Sequence, residues 1–469
     1  MAIDRDDSPD RRQTGSAENV VASTQNCTEV ARFILGLQFE DIPAAVISQA
    51  RRCLLDLSGV AAAAVATPLS AIVRNHVAHN YGAATWAARM LFDGRKVSLP
   101  GAALAGATMI DSLDAHDGHV LTKGHVGVTI LPVLAALADS GLITDDRSFL
   151  TSLVLGYEIA TRAGIALHAT ACDYHTSGAW NALGAAALTA RALNLPVSAV
   201  REALGSAEYF GPRSQMMRCI DHPTMVKDGS GWGAMTGVSA ALLAADGFTG
   251  APAVTMESDA AVPFWQDLGE RWAITEQYFK PYPVCRWAQP AVEAIFSLSR
   301  DHEFNASDVD YVRVTSFREA CRLATRHPTT TEQAQYSLPF SVAIALVRGR
   351  LGAAEVTGDA LTDPTAWRIS DRMVLQEDER YNRLFPAQRW AEVEVVLRDG
   401  TRLHSAPHTA RGDAEAPLGD AEIMTKFGSL AEPVLGAARC DRLTDCVDRL
   451  GRRTRMLSSL VNELVSAAG

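Results

Sequence analysis

Residues 111–132 read Asp-Ser-Leu-Asp-Ala-His-Asp-Gly-His-Val-Leu-Thr-Lys-Gly-His-Val-Gly-Val-Thr-Ile-Leu-Pro. The fifteen residues from Asp111 to His125 hold three carboxylates, three imidazoles and one ammonium, boxed between the apolar runs 101–110 and 126–138. An ordinary solvated loop would mix Glu, Lys, Ser and Gly; a run dominated by Asp and His points to proton transfer or ligation. His116, His119 and His125 lack the spacing of zinc-binding helices, so no metal is expected and proton transfer is the preferred reading.

Lysine usage adds a second set of candidates. Five lysines stand against thirty-eight arginines, so Arg serves nearly wherever a plain surface charge will do. A retained Lys offers a compact ammonium with a tunable pKa that a planar guanidinium does not replace. Lys123, Lys227 and Lys280 each fall in a segment rich in Gly, Pro or His: Thr122-Lys-Gly-His125, Met225-Val-Lys-Asp-Gly-Ser-Gly231 and Phe279-Lys-Pro-Tyr-Pro-Val-Cys-Arg286. His175 precedes the Ala-rich block from Trp180, where helix N-terminal N–H groups could meet an anion. No Gly-x-Gly-x-x-Gly, P-loop or Gly-x-Ser-x-Gly occurs, so nucleotide cofactors and serine hydrolysis drop out and no cofactor is expected.

Positioning such groups takes more than one core, because 469 residues exceed the size at which a single core usually keeps growing. The charge of -11 argues against nucleic acid, which demands a basic face. No apolar run reaches about 18 residues without a charge, so a membrane span is not expected. The eight scattered cysteines, with no CxxC pair and no secretory signal ahead of them, read as reduced thiols of a cytoplasmic protein.

Residues 1–20 carry almost nothing to bury and are expected to form a disordered leader. Residues 21–270 show helical periodicity, as in Val30, Phe33, Ile34 and Leu37, with Ala-rich blocks at 101–113, 130–138, 148–168, 180–193, 197–205 and 234–246. They predict one large all-helical domain with closely approaching helices and no strand. From about 271 to 415 the pattern changes: residues 309–316 alternate as a strand, and 390–404 read strand, Asp399-Gly400 turn, strand. A smaller α+β lid domain is expected there, and residues 416–469 return to helical spacing, expected to pack on the first domain. The fold class is thus mainly α, with an α+β second domain.

Several ordered motifs together resemble the MmgE/PrpD family over nearly the whole chain after residue 25. They are Asp114-Ala-His-Asp117 with His125, Gly156-Tyr-Glu158, His175-Thr-Ser-Gly178, Thr224-Met-Val-Lys227, Gly247-Phe-Thr-Gly250, Lys280-Pro-Tyr-Pro-Val-Cys285 and Ala334-Gln-Tyr-Ser-Leu-Pro-Phe340. The resemblance implies a helical domain with an α+β lid, usually as a homodimer. It places the family's acidic motif on Asp114 and Asp117, its histidines on His125 and His175, and its lysines on Lys227 and Lys280. The chain departs where the family has His-Pro-Ser (here His125-Val-Gly), a second His after the first lysine (here Ser230) and a further His (here Gln289); it adds His116 and His119.

The implied chemistry is proton removal beside a carboxylate in a small di- or tricarboxylic acid, followed by dehydration or decarboxylation. Epimerisation, or a binding homodimer without activity, stays open. The expected catalytic set is Asp114, Asp117, His119, His125, His175 and Lys227, with Lys123, Arg218, Lys280, Tyr282 and Arg286 binding the anion. The site is expected where the two domains meet.

Overall fold

The computed structural model describes residues 17–83, 85–413, 416–452 and 455–468, with side chains from Gln25 onward. Among the described residues the longer helices of the N-terminal half are α1 (Ala17–Gly36), α2 (Ala44–Ala64), α3 (Pro68–Asn80), α4 (Leu99–Leu113), α5 (Gly127–Asp139), α6 (Asp146–Thr170), α7 (Gly178–Ala192), α8 (Val197–Phe210), α9 (Met216–Asp221) and α10 (Ser230–Ala245). Helix α1 begins inside the stretch expected as a leader; residues 1–16 of that stretch lie outside the described residues. Local chemistry sets the starts: the hydroxyl of Thr67 caps α3 ahead of Pro68, Ser98 caps α4, and Asp145 accepts from Ser148 N–H at the head of α6.

The small residues draw α10 against α4 and α7. A β-carbon on Gly231 would collide with Thr108 and the Leu104 carbonyl of α4, and one on Gly237 with the Ala182 carbonyl of α7. This close approach sets the segment before α10, which carries Lys227, beside the last turn of α4. The expectation of no strand before residue 270 is corrected by a two-stranded ribbon, β1 (Ala87–Arg89) against β2 (Lys96–Ser98). Each strand is three residues long, too short for its alternation to stand out from helical spacing.

The second half holds a mixed five-stranded sheet: β3 (Val309–Ser316), β4 (Val374–Glu377), β5 (Trp390–Leu397), β6 (Arg402–His404) and β7 (His408–Thr409). The order is β4-β3-β5-β6, with β7 also on β5; β3 and β4 run parallel and the other pairs antiparallel. The β5–β6 hairpin closes through Gly400 at φ 91°, Gly400 N–H donating to the Leu397 carbonyl at 2.9 Å and Thr401 N–H to Asp399 Oδ1 at 2.9 Å. The helices Asp420–Leu435, Ala437–Arg449 and Leu457–Val465 return to the first half, where Ile423, Phe427 and Leu460 join its buried core.

A separate apolar core fills the second half, built on Trp287, Val292, Val314, Phe317, Phe340 and Val393. It also takes in Met216, Cys219 and Ile220 of α9, so a helix that precedes Lys227 in the chain is packed into the second core. Among the described residues no single helix is long and apolar enough to cross a membrane.

Candidate active site at the domain junction

Helix α4 stops at Asp114, which takes the left-handed conformation (φ 57°) that Asp tolerates better than most residues. The loop that follows is spliced to the segment entering the second half: Gly118 N–H donates to the Tyr278 carbonyl at 3.1 Å, and Tyr278 N–H to the Gly118 carbonyl at 2.8 Å. Any β-carbon at 118 would strike the Tyr278 hydroxyl, so the splice requires glycine. Two residues beyond Tyr278, Lys280 is fully buried with its Nζ 3.0 Å from Asp114 Oδ1.

His125 is fixed at three points. Its N–H donates to Ser177 Oγ (3.0 Å), its carbonyl accepts from Asn181 Nδ2 (2.8 Å), and its Nδ1 lies 2.6 Å from the Asp117 carbonyl. A carbonyl only accepts, so Nδ1 carries the proton and Nε2, 4.0 Å from Asp114 Oδ1, presents its lone pair. Lys227, also left-handed (φ 47°) and buried, donates to Gln335 Oε1 at 2.6 Å and lies 4.5 Å from the centre of the Tyr336 ring. Gln335 in turn donates to the Ser112 carbonyl (3.0 Å), tying the second half to the end of α4.

The charges balance locally. Burial raises the Asp114 carboxyl, but the ammoniums of Lys280 and Lys227, with His125, outweigh it and hold the group below the usual carboxylate range. Burial depresses Lys280 against the pull of Asp114, and burial plus Lys280 depress His125, which keeps the imidazole neutral and basic at Nε2. Behind Lys227, Asp228 accepts from Ser177 Oγ at 2.8 Å.

The structure brings Asp114, His125, Lys227 and Lys280 into one buried cluster; the other sequence candidates lie elsewhere. Asp117 is turned away: its carboxylate accepts from the Tyr157 hydroxyl and from Gly127 N–H (3.0 Å), and it orients His125 through its backbone carbonyl. His119 pairs with Glu276 (3.0 Å). His175 faces Asp173 (3.6 Å) and stacks on His168. Lys123 sits over the Tyr174 ring at 3.6 Å, Tyr282 donates to Glu293 (2.9 Å), and Arg286 is bound to Asp413 (2.7 Å). Arg218 is exposed at the mouth of a cavity.

That cavity, about 940 Å³, runs from Arg218, His76 and His222 at the surface to Asp111, Thr176, Lys227 and Ser230. Asp111 and His116 join the cluster without having been singled out as site residues, and so do Asp228, Gln335 and Tyr336. The Ala334–Phe340 motif was the sequence signal for the last two. Asp114, His116 and His125 bring one ligand-type atom each within 4.8 Å of one another. The Lys280 ammonium already meets Asp114 there, and a second ammonium, Lys227, acts on the same carboxylate, a donor set unlike a cation site.

A helical half and a mixed-sheet half meet at a buried cluster of ammonium, imidazole and carboxylate. Residues 28–264 match the MmgE/PrpD N-terminal domain and residues 282–451 the MmgE/PrpD C-terminal domain. The chain belongs to the MmgE/PrpD family. Among curated relatives, the cis-aconitate decarboxylase of Aspergillus terreus (strain NIH 2624 / FGSC A1156) is 23% identical over 477 residues, covering 91% of this chain and 93% of that one. The cis-aconitate decarboxylase-like protein oryM of Aspergillus oryzae (strain ATCC 42149 / RIB 40) is 22% identical over 467 residues, covering 89% and 93%.

Proposed function

We propose that this protein is a cofactor-independent lyase that removes carbon dioxide or water from a small di- or tricarboxylic acid, decarboxylation being the form that the relatives' names favour. The observation that carries this reading is the pair of buried ammoniums, Lys227 and Lys280, both acting on Asp114, beside a neutral His125 whose Nε2 faces that carboxylate at 4.0 Å. Two cations in a dry site bind substrate carboxylates and absorb the negative charge that develops as a C–H or C–CO2 bond breaks. His125, aimed by the Asp117 carbonyl, is the base; Asp114 holds Lys280 in place.

Arg218, His76 and His222 at the mouth favour an entering anion. Asp114, His125 and Lys280 do not line the cavity, so substrate reaches them only when the second half, which supplies Lys280 and Gln335, moves away from α4. The protein is incubated, after dialysis against a strong chelator, with cis-aconitate, citrate and related acids, and products are followed by NMR and carbon dioxide capture. Turnover of at least one acid is expected. Calorimetric binding of these acids with no product from any would replace the lyase by a non-catalytic anion binder.

A further inference from the structure

Asp111 and His116 are buried ionisable groups of the cluster to which the mechanism above gives no part. They flank the end of α4, Asp111 in its last turn and His116 just past its left-handed cap. His116 Nε2 lies 4.0 Å from Asp111 Oδ1. Among the described residues, neither that oxygen nor either ring nitrogen of His116 has a hydrogen-bond partner, and both residues are at most 2% exposed. Orphaned polar atoms in so dry a place are costly, and a small rotation that closes the gap satisfies both sides. Of the cluster's acids and imidazoles, Asp111 lines the cavity, whereas Asp114, His116 and His125 do not.

We infer that Asp111 is the catalytic acid that delivers the proton the product gains, and that His116 is its positioning residue, donating Nε2–H to Oδ1 so that Oδ2 carries the proton toward the cavity. The inference rests on the lyase reading. In a decarboxylation the C–CO2 bond breaks, its electron pair shifts into the neighbouring carbon–carbon π system, and the far carbon takes the proton from Asp111 as carbon dioxide leaves. In a dehydration His125 Nε2 takes the C–H proton, that electron pair forms the double bond, and the departing hydroxyl takes the Asp111 proton and leaves as water. After dehydration His125 gives its proton to water in the cavity and Asp111 takes one from that water, restoring both groups; after decarboxylation Asp111 takes one proton from the solvent, the proton the product gained.

The groups facing each partner suit these roles. Around Asp111 stand Asp228, Lys227, Asp114, Ser230 and His116; burial, then Asp228, push its carboxyl up to about 7 against the pull of Lys227, so it holds a proton near neutrality. Around His116 stand His125, Lys280, Lys227, Lys426 and Asp111; burial, then His125 and the ammoniums of Lys280, Lys227 and Lys426, hold the imidazole well below its ordinary value, so it is neutral. A neutral imidazole retains one N–H for Asp111.

The test uses the full chain with cis-aconitate and citrate as probes, calorimetry for binding, and turnover measured across pH 5.5 to about 8.5, a window bracketing the carboxyl's raised value. Wild-type turnover should fall as pH rises through about 7, since the acid must be protonated. Asp111→Asn should bind the probe nearly as wild type while turnover drops about 100-fold or more. Exchanging the pair, Asp111→His with His116→Asp, should regain about 10-fold over Asp111→His alone, because the carboxyl–imidazole contact is restored. Near-normal turnover of Asp111→Asn, or binding and turnover lost together in a folded variant, would overturn the assignment. So would a wild-type profile with no alkaline fall, a readout that does not depend on any variant folding. A wild-type protein inert toward both probes and every related acid would overturn the lyase reading itself, and this assignment with it.

Discussion

Lys227 shows how much of the chemistry depends on single side chains. Its ammonium fits between Gln335 Oε1 at 2.6 Å and the face of Tyr336, under a left-handed backbone that fixes where the chain can go. A guanidinium is larger and planar and does not fit the same geometry. Lys227→Arg should therefore lose about 2 to 4 kcal/mol of transition-state stabilisation, comparable to removing one preorganised donor, in a protein that stays folded. Near-normal kinetics of the purified variant would reduce Lys227 to a plain charge. Asp117 makes a prediction about stability instead. Burial pushes its carboxyl up to about 7 although Tyr157 and Gly127 donate to it. Its folded pKa lies above the unfolded value of about 3.9, so its contribution to stability is complete below that value and is lost as pH rises through 7, by up to about 1.4 kcal/mol per pH unit. Asp117→Asn should gain stability relative to wild type between pH 5 and 8 in urea titrations; an unchanged difference would show that Asp117 is ionised throughout. Residue types singled out the dense Asp/His run 111–125 and the rare lysines Lys123, Lys227 and Lys280, and the family resemblance added Asp114, Asp117 and His125 individually. They could not separate Asp114, which faces Lys280, from Asp117, which faces Tyr157, because that depends on the left-handed turn at 114.

At the level of elements, the C-terminal helix Asp420–Leu435 does more than cover the first half. Its Lys426 reaches through to Asp56 Oδ1 (2.6 Å) on α2 and to the Ala115 carbonyl (2.7 Å), directly beneath the loop that carries Asp114 and Asp117. Removing one member of a buried ion pair strands the other, so Lys426→Met should cost about 3 to 5 kcal/mol in chemical denaturation, with part of the loss recovered by adding Asp56→Asn. A cost under about 1 kcal/mol would mean that the pair behaves like an exposed one. The long periodic helices and the β5–β6 hairpin were legible because their signals are local: 3.6-residue spacing, and Asp-Gly between alternating strands. The short ribbon β1–β2, and β4, which pairs parallel to β3 after a long excursion, have no such local signature. The packing of α9 into the second core was equally hidden, because only tertiary contact decides which core a six-residue helix joins.

For the whole molecule, the two cores meet at the site, and an apolar face lies outside them. Tyr209, Phe210 and Phe248 form a contiguous ring cluster (5.3 and 6.5 Å between ring centres) that stands exposed, with Leu243 and Trp232 exposed on α10. We propose this face as the contact of the homodimer that the family resemblance implies, and light scattering should report a dimer that Phe210→Glu converts to monomer; a monomeric wild-type protein would remove that role. Proton transfer by His125 beside a carboxylate held by the two lysines is tested by incubating the protein with di- and tricarboxylates in deuterated water and following the carbon-bound hydrogens by NMR. Deuterium should enter the substrate or product carbon next to a carboxylate with wild-type protein, and the rate should fall about 100-fold or more in His125→Asn. Tight binding of the same acids with no deuterium incorporated would contradict proton transfer at this site.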